Sequence, residues 1–239
     1  MGDWRSRWVA IGASLVLLGQ AQTGQAQTDR AAACKLASVL ALDISSSVNQ
    51  REYDIQLQGL AQAFRTPEVI EAILTPAGAG IAAIVYEWSG YNQQDIVIPW
   101  TMLDSEAVIL DIAATLAAHR RPYSDLTTAL GKSVEYGAMM FWRAPSCGRK
   151  VIDISGDGEN NDGVGPEFYR AQGKLVGITI NGLVVEGAVP DPVAYYRNYV
   201  IQGPDAFLAR ARDFDDYPSV MIGKLLREID QEMILGDVR

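Results

Sequence analysis

Residues Ser38–Asp54 read SVLALDISSSVNQREYD, and the way this stretch divides decides the fold. An apolar run begun at Lys35 breaks off at Asp43, and Ser45 and Ser47 follow on alternate positions. An unbroken apolar run of this length marks a strand buried on both faces, as in a parallel sheet. Asn49 with Glu52 three residues later forms a capping-box signature for a helix start. Tyr53, Leu57, Leu60, Ala61 and Phe64 then fall on one helical face. Asp43, Ser45 and Ser47 therefore sit where a strand hands over to a helix. Their oxygens can converge on a cation, on a substrate, or on their own backbone amides as caps and turns.

Working outward, the same handover recurs. AGIAAIVYEW and QDIVIPW, split by a Gly-containing turn, predict a hairpin. DSEAVILDIAATLAAH and TTALGKSVEYGAMMFW predict two helices. RKVIDIS is a second buried strand running into the acidic, Gly-rich GDGENNDG. GPEFYRAQGK reads as a short helix, LVGITINGLVV and AFLARARD as strands, and YPSVMIGKLLREIDQEM as the last helix. Strands alternating with helices predict a doubly wound α/β domain over residues 27–239. Its sheet is expected to hold six strands, mostly parallel, with one antiparallel edge hairpin strand and helices on both faces. In such sheets ligands bind beyond the carboxyl ends of the strands.

The 239 residues suffice for one ample domain. A formal charge of −9 excludes the clustered positive surface of a nucleic-acid binder. The one dense basic cluster, HRRP at His119–Pro122, reads as a helix end. Residues 1–26 have the form of a cleaved leader: Arg5 and Arg7, the apolar core Trp8–Gly19, and small residues at Gly24 and Ala26 with cleavage after Ala26. That core is shorter than the roughly 20 residues of a membrane span. The expectation is an exported chain, periplasmic or secreted, with no span in its mature form.

Three segments fall at the carboxyl ends of the strands. DISSS supplies Asp43, Ser45 and Ser47; YSDLTTAL supplies Ser124, Asp125, Thr127 and Thr128; SGDGE supplies Asp157. All are hard oxygen donors, suited to magnesium, with manganese or calcium as alternatives. In this order they resemble the metal-ion-dependent adhesion site of von Willebrand factor A domains: Asp-x-Ser-x-Ser, a threonine before a helix, and an aspartate followed by glycine. The resemblance spans nearly all of the chain after the leader. ALDISSSV, VIDISGDG and INGL are closest to an uncharacterised family of exported bacterial proteins. It implies metal ligation by Asp43, Ser45, Ser47, Ser124 and Asp157, with a carboxylate of a protein partner completing the cation's coordination and no bond broken. Ser124 stands where most such domains have threonine, keeping the hydroxyl without the rotamer-restricting methyl. Shifting the alignment nominates Thr127 or Thr128 instead.

Other residues carry weaker expectations. Asp153 in its apolar strand is expected to be held by backbone or hydroxyl donors. Glu159, Asn160, Asn161 and Asp162 are expected to form a solvated loop, and Glu87 and Trp88 to stand at the rim of the site. GAVPDPVAYYRNY is expected to be a Pro-rich loop, its aromatics contacting a partner or packing on the last helix. Cys34 lies nine residues before Asp43 and Cys147 ten before Asp157. If those aspartates end adjacent parallel strands, the cysteines meet at the opposite end and form a disulfide. The competing functions are a domain with a degenerate, metal-free site and a hydrolase. A single histidine, the absence of a G-x-S-x-G elbow and the absence of a second aspartate in DISSS weigh against an enzyme.

Overall fold

The computed structural model describes residues 1, 34–75 and 80–230. The leader and its cleavage site lie outside the described residues. The apolar run forms strand β1 (Cys34–Asp43), buried along its last eight residues. Its side chains alternate between two cores. Leu36, Leu40 and Leu42 enter one; Ala37, Val39 and Ala41 enter the other. This period of two is what a strand with helices on both faces requires.

Strands β2 (Ile81–Trp88), β3 (Gln94–Met102), β4 (Cys147–Gly156), β5 (Thr179–Val185) and β6 (Leu208–Ala211) complete a sheet of order β3-β2-β1-β4-β5-β6. All neighbours are parallel except β2 and β3. The six-stranded sheet with one antiparallel edge strand is thus as the sequence predicts. On β3, Ile98 pairs with Val85 and Thr101 with Ala83, a slip that places Pro99 in an irregular stretch of the edge. Proline lacks a ladder donor and is tolerated there.

Helices α1 (Gln50–Ala63), α2 (Pro67–Leu74), α3 (Glu106–Ala118) and α7 (Tyr217–Asp230) cover one face. Helices α4 (Leu130–Met140), α5 (Pro166–Ala171) and α6 (Pro192–Tyr195, continued by a π turn over Tyr196–Val200) cover the other. The capping box of α1 is present: Asn49 Oδ1 accepts from the Glu52 amide at 3.1 Å, and Glu52 accepts from the Asn49 amide at 2.8 Å.

Two helices are absent from the sequence reading. α2 follows α1 after a short break, with Pro67 in its first turn. Pro192 likewise opens α6, capped by the Asp191 side chain, where the sequence suggested a loop. Proline suits a first helical turn because its missing N–H has no intrahelical partner to lose. Of the aromatics in that segment, Tyr196 is fully buried and Tyr199 is exposed. Cys34 and Cys147 pair in register at the start of β1 and β4 and form a disulfide, with Cα atoms 4.4 Å apart.

Candidate metal centre

Because β1 and β4 are adjacent and parallel, Asp43 and Asp157 emerge side by side at the carboxyl ends of the two central strands. A chain of hydrogen bonds links the two segments. Asp43 Oδ1 accepts from the Ser45 amide at 2.8 Å. The Ser45 and Ser47 hydroxyls are 3.1 Å apart, and Ser47 donates to Asp157 Oδ1 at 2.6 Å. Four of the predicted residues, Asp43, Ser45, Ser47 and Asp157, therefore form one cluster.

The third segment attaches through its backbone. The Ser46 amide donates to the Leu126 carbonyl at 2.9 Å, bringing residues 124–129 alongside the serine loop. Ser124 stands exposed on that segment and outside the hydrogen-bonded chain. Thr127 donates to Asp162 at 2.6 Å. Thr128 is buried, its hydroxyl 4.0 Å from where a β-carbon on Gly158 would lie.

Residues the sequence reading passed over hold the loops in place. Gln56, on the buried side of α1, donates to the Asp43 carbonyl at 2.9 Å and accepts from Ser155 at 3.3 Å. A polar residue one position from Leu57 on a buried helix face is the signal that could have flagged it. Arg121, from the basic run read as a helix end, donates to the carbonyls of Ile44 at 2.8 Å and Ser45 at 3.0 Å.

Three expectations are corrected. Glu87 and Trp88 are wholly buried and form no rim. Glu87 instead accepts from the Tyr53 hydroxyl at 2.6 Å and pairs with His119 at 3.1 Å, its carboxyl raised above the ordinary range chiefly by burial. The 159–162 loop is only partly solvated. Asn160 and Asn161 accept from the Gly131 and Thr128 amides at 2.9 and 2.8 Å, satisfying donors at the start of α4, where Ala129 offers no side-chain cap. Asp153 is held by an ion pair with Lys224, not by backbone or hydroxyl donors.

The electrostatics suit a cation. Burial, then the neighbouring Asp157 carboxylate, push Asp43 up to about 8, while the Ser45 donors and the Arg121 charge pull the other way. Asp157 is also raised, first by burial. Asp43 Oδ2 is buried without a hydrogen-bond partner. Two crowded carboxylates with an orphaned oxygen and two hydroxyls are a donor set that a hard divalent ion would satisfy. Among the described residues no group of three or more His, Cys, Asp or Glu gathers to form a metal cage. Any ion held here therefore depends on hydroxyls and water as well as carboxylates.

The fold is similar to that of von Willebrand factor A domains. The von Willebrand factor type A protein of Catenulispora acidiphila is similar at 16% identity and a TM-score of 0.55, over 84% of this chain and 43% of that one. Proximal thread matrix protein 1 of the mussel byssus, with a zinc-occupied metal-ion-dependent adhesion site, matches at 17% identity and a TM-score of 0.57, over 83% and 46%. The pilus adhesin SpaC of Lactobacillus rhamnosus GG matches at 11% identity and a TM-score of 0.59, over 83% and 30%. The chain thus spans less than half the length of each of these proteins. No curated protein matches its sequence. The family described as "Protein of unknown function (DUF1194)" matches residues 33–233, and the chain, with its von Willebrand A-like fold, belongs to that family.

Proposed function

We propose that this chain is an exported, divalent-metal-dependent binding module of the adhesion type, not an enzyme. The observation that carries the reading is the continuous link Asp43–Ser45–Ser47–Asp157 across the carboxyl ends of two adjacent strands. Asp43, Ser45, Ser47, Ser124 and Asp157 would hold the ion, magnesium by the hardness of the donors, with manganese or calcium as alternatives. A bound ion would supply an electrophilic point open to a carboxylate of a protein partner and would offset locally the charge of a chain that carries −9 overall.

The chain's own residues position this point. The Ser45 amide orients Asp43, and Ser47 ties Asp157 to the Ser45 hydroxyl. Arg121 fixes the carbonyls of the serine loop from behind. Similar folds include one with a zinc-occupied site of this kind and one pilus adhesin, which supports the reading. The disulfide accords with an oxidising compartment outside the cytoplasm.

Calorimetric titration of magnesium and manganese into the EDTA-stripped chain tests the proposal. Saturable one-to-one binding is expected, abolished by Asp157→Ala and weakened by Ser124→Ala. Heat changes no larger than dilution, even with excess acetate as a surrogate carboxylate, would dismiss it. Weakening by Thr128→Ala and none by Ser124→Ala would move the fifth ligand to Thr128.

A further inference from the structure

The centre contains a second oxygen without a partner. The Tyr196 hydroxyl is fully buried and makes no hydrogen bond, like Asp43 Oδ2. Both oxygens crowd the same spot. A β-carbon added to Gly156 would lie 2.6 Å from the Tyr196 hydroxyl and 2.7 Å from Asp43 Oδ2. The two are therefore no further apart than the sum of those distances.

The placement is built into the sheet. A β-carbon on Gly182 would lie 3.0 Å from the Tyr196 ring. Gly182 pairs with Ile154, and Gly156 pairs with Val184, so the two glycines are diagonal neighbours on β5 and β4. Together they leave a cradle in which the ring lies over one strand and its hydroxyl reaches past the other to the end of β1. A phenylalanine would fill the ring's place equally well. A buried hydroxyl with no acceptor is a net cost, so its presence calls for a role beyond packing. A tyrosine hydroxyl, with an ordinary pKa of about 10, is a protonated donor at physiological pH.

We propose that Tyr196 is a positioning residue of the metal centre, its hydroxyl holding Asp43 Oδ2 through one shared water. With Oδ1 held by the Ser45 amide, the Asp43 carboxylate is then fixed at both oxygens. The segment that contains α6 thereby becomes part of the site, although none of its residues is a ligand. This inference rests on the metal-binding reading above.

The test compares the wild-type chain with Tyr196→Phe and Gly156→Ala. Magnesium affinity is read by calorimetry, folding by thermal unfolding in EDTA, and the tyrosine environment by the near-ultraviolet difference spectrum on adding metal. Tyr196→Phe is expected to remain folded in EDTA, to bind magnesium about tenfold more weakly, and to lose most of the difference band. Gly156→Ala, which forces a methyl between the two oxygens, is expected to weaken binding at least as much. Equal affinity and an unchanged band in a folded Tyr196→Phe chain would overturn the inference while leaving the metal reading intact. A wild-type chain that binds no magnesium would remove the metal reading and this inference with it.

Discussion

Lys224 carries its charge into the middle of the molecule with its side chain wholly enclosed. It pairs with Asp153 on β4 and lies 3.6 Å from Glu228 one turn along α7. Glu228 in turn accepts from Ser38 and Asn181 at 3.0 Å each, so β1, β4, β5 and α7 meet in one buried polar knot. Two acids facing one base make the lysine indispensable. Lys224→Met should cost about 3–5 kcal/mol in urea unfolding, because it strands buried carboxylates. The pH dependence has a definite sign. Burial outweighs the lysine and raises Asp153 from 3.8 to about 6. A carboxyl raised on folding favours the protonated native state, so its contribution is complete below its ordinary value and lost as pH rises through about 6. Without Lys224 that loss should deepen and extend to higher pH, which unfolding curves at pH 5 and pH 8 will register.

The elements around the site depend on close backbone approaches. Gly131, in the first turn of α4, is the clearest. A β-carbon there would lie 2.1 Å from the Val164 carbonyl oxygen, and backbone cannot swing aside as a side chain can. Gly131→Ala should therefore destabilise the chain by about 1–3 kcal/mol or more, seen as a lower unfolding temperature, and loosen the loop whose asparagines cap α4. Contacts of this kind explain what the sequence reveals and what it hides. The alternation of strands and helices was legible because burial imposes a period on each element. Asp43, Ser45, Ser47 and Asp157 were legible because each follows directly from where a strand must end. Arg121 and Tyr196 were not, since the residues they meet lie far along the chain and only the sheet order brings them together. Helices α2 and α6 were missed for a local reason: a proline that starts a helix looks, by composition, like one that ends it.

At the scale of the molecule, the central strands β1 and β4 carry the disulfide at one end and the two aspartates at the other. Some ten residues separate them, about 30 Å of extended chain. The bond closes a loop with a sequence separation of 113, so replacing both cysteines with serine should cost about 2–5 kcal/mol. Magnesium affinity in the surviving folded fraction should be unchanged, and calorimetry beside chemical unfolding separates the two effects. The outermost strands of the sheet have a consequence of their own. At one border β3 carries Pro99 in an irregular stretch, and at the other β6 has only four residues. Neither border offers a long, flat row of free amides and carbonyls to a neighbouring chain. Copies crowded together at high local density are thus protected from zipping into fibrils strand upon strand, and any assembly they form has to be made by side chains.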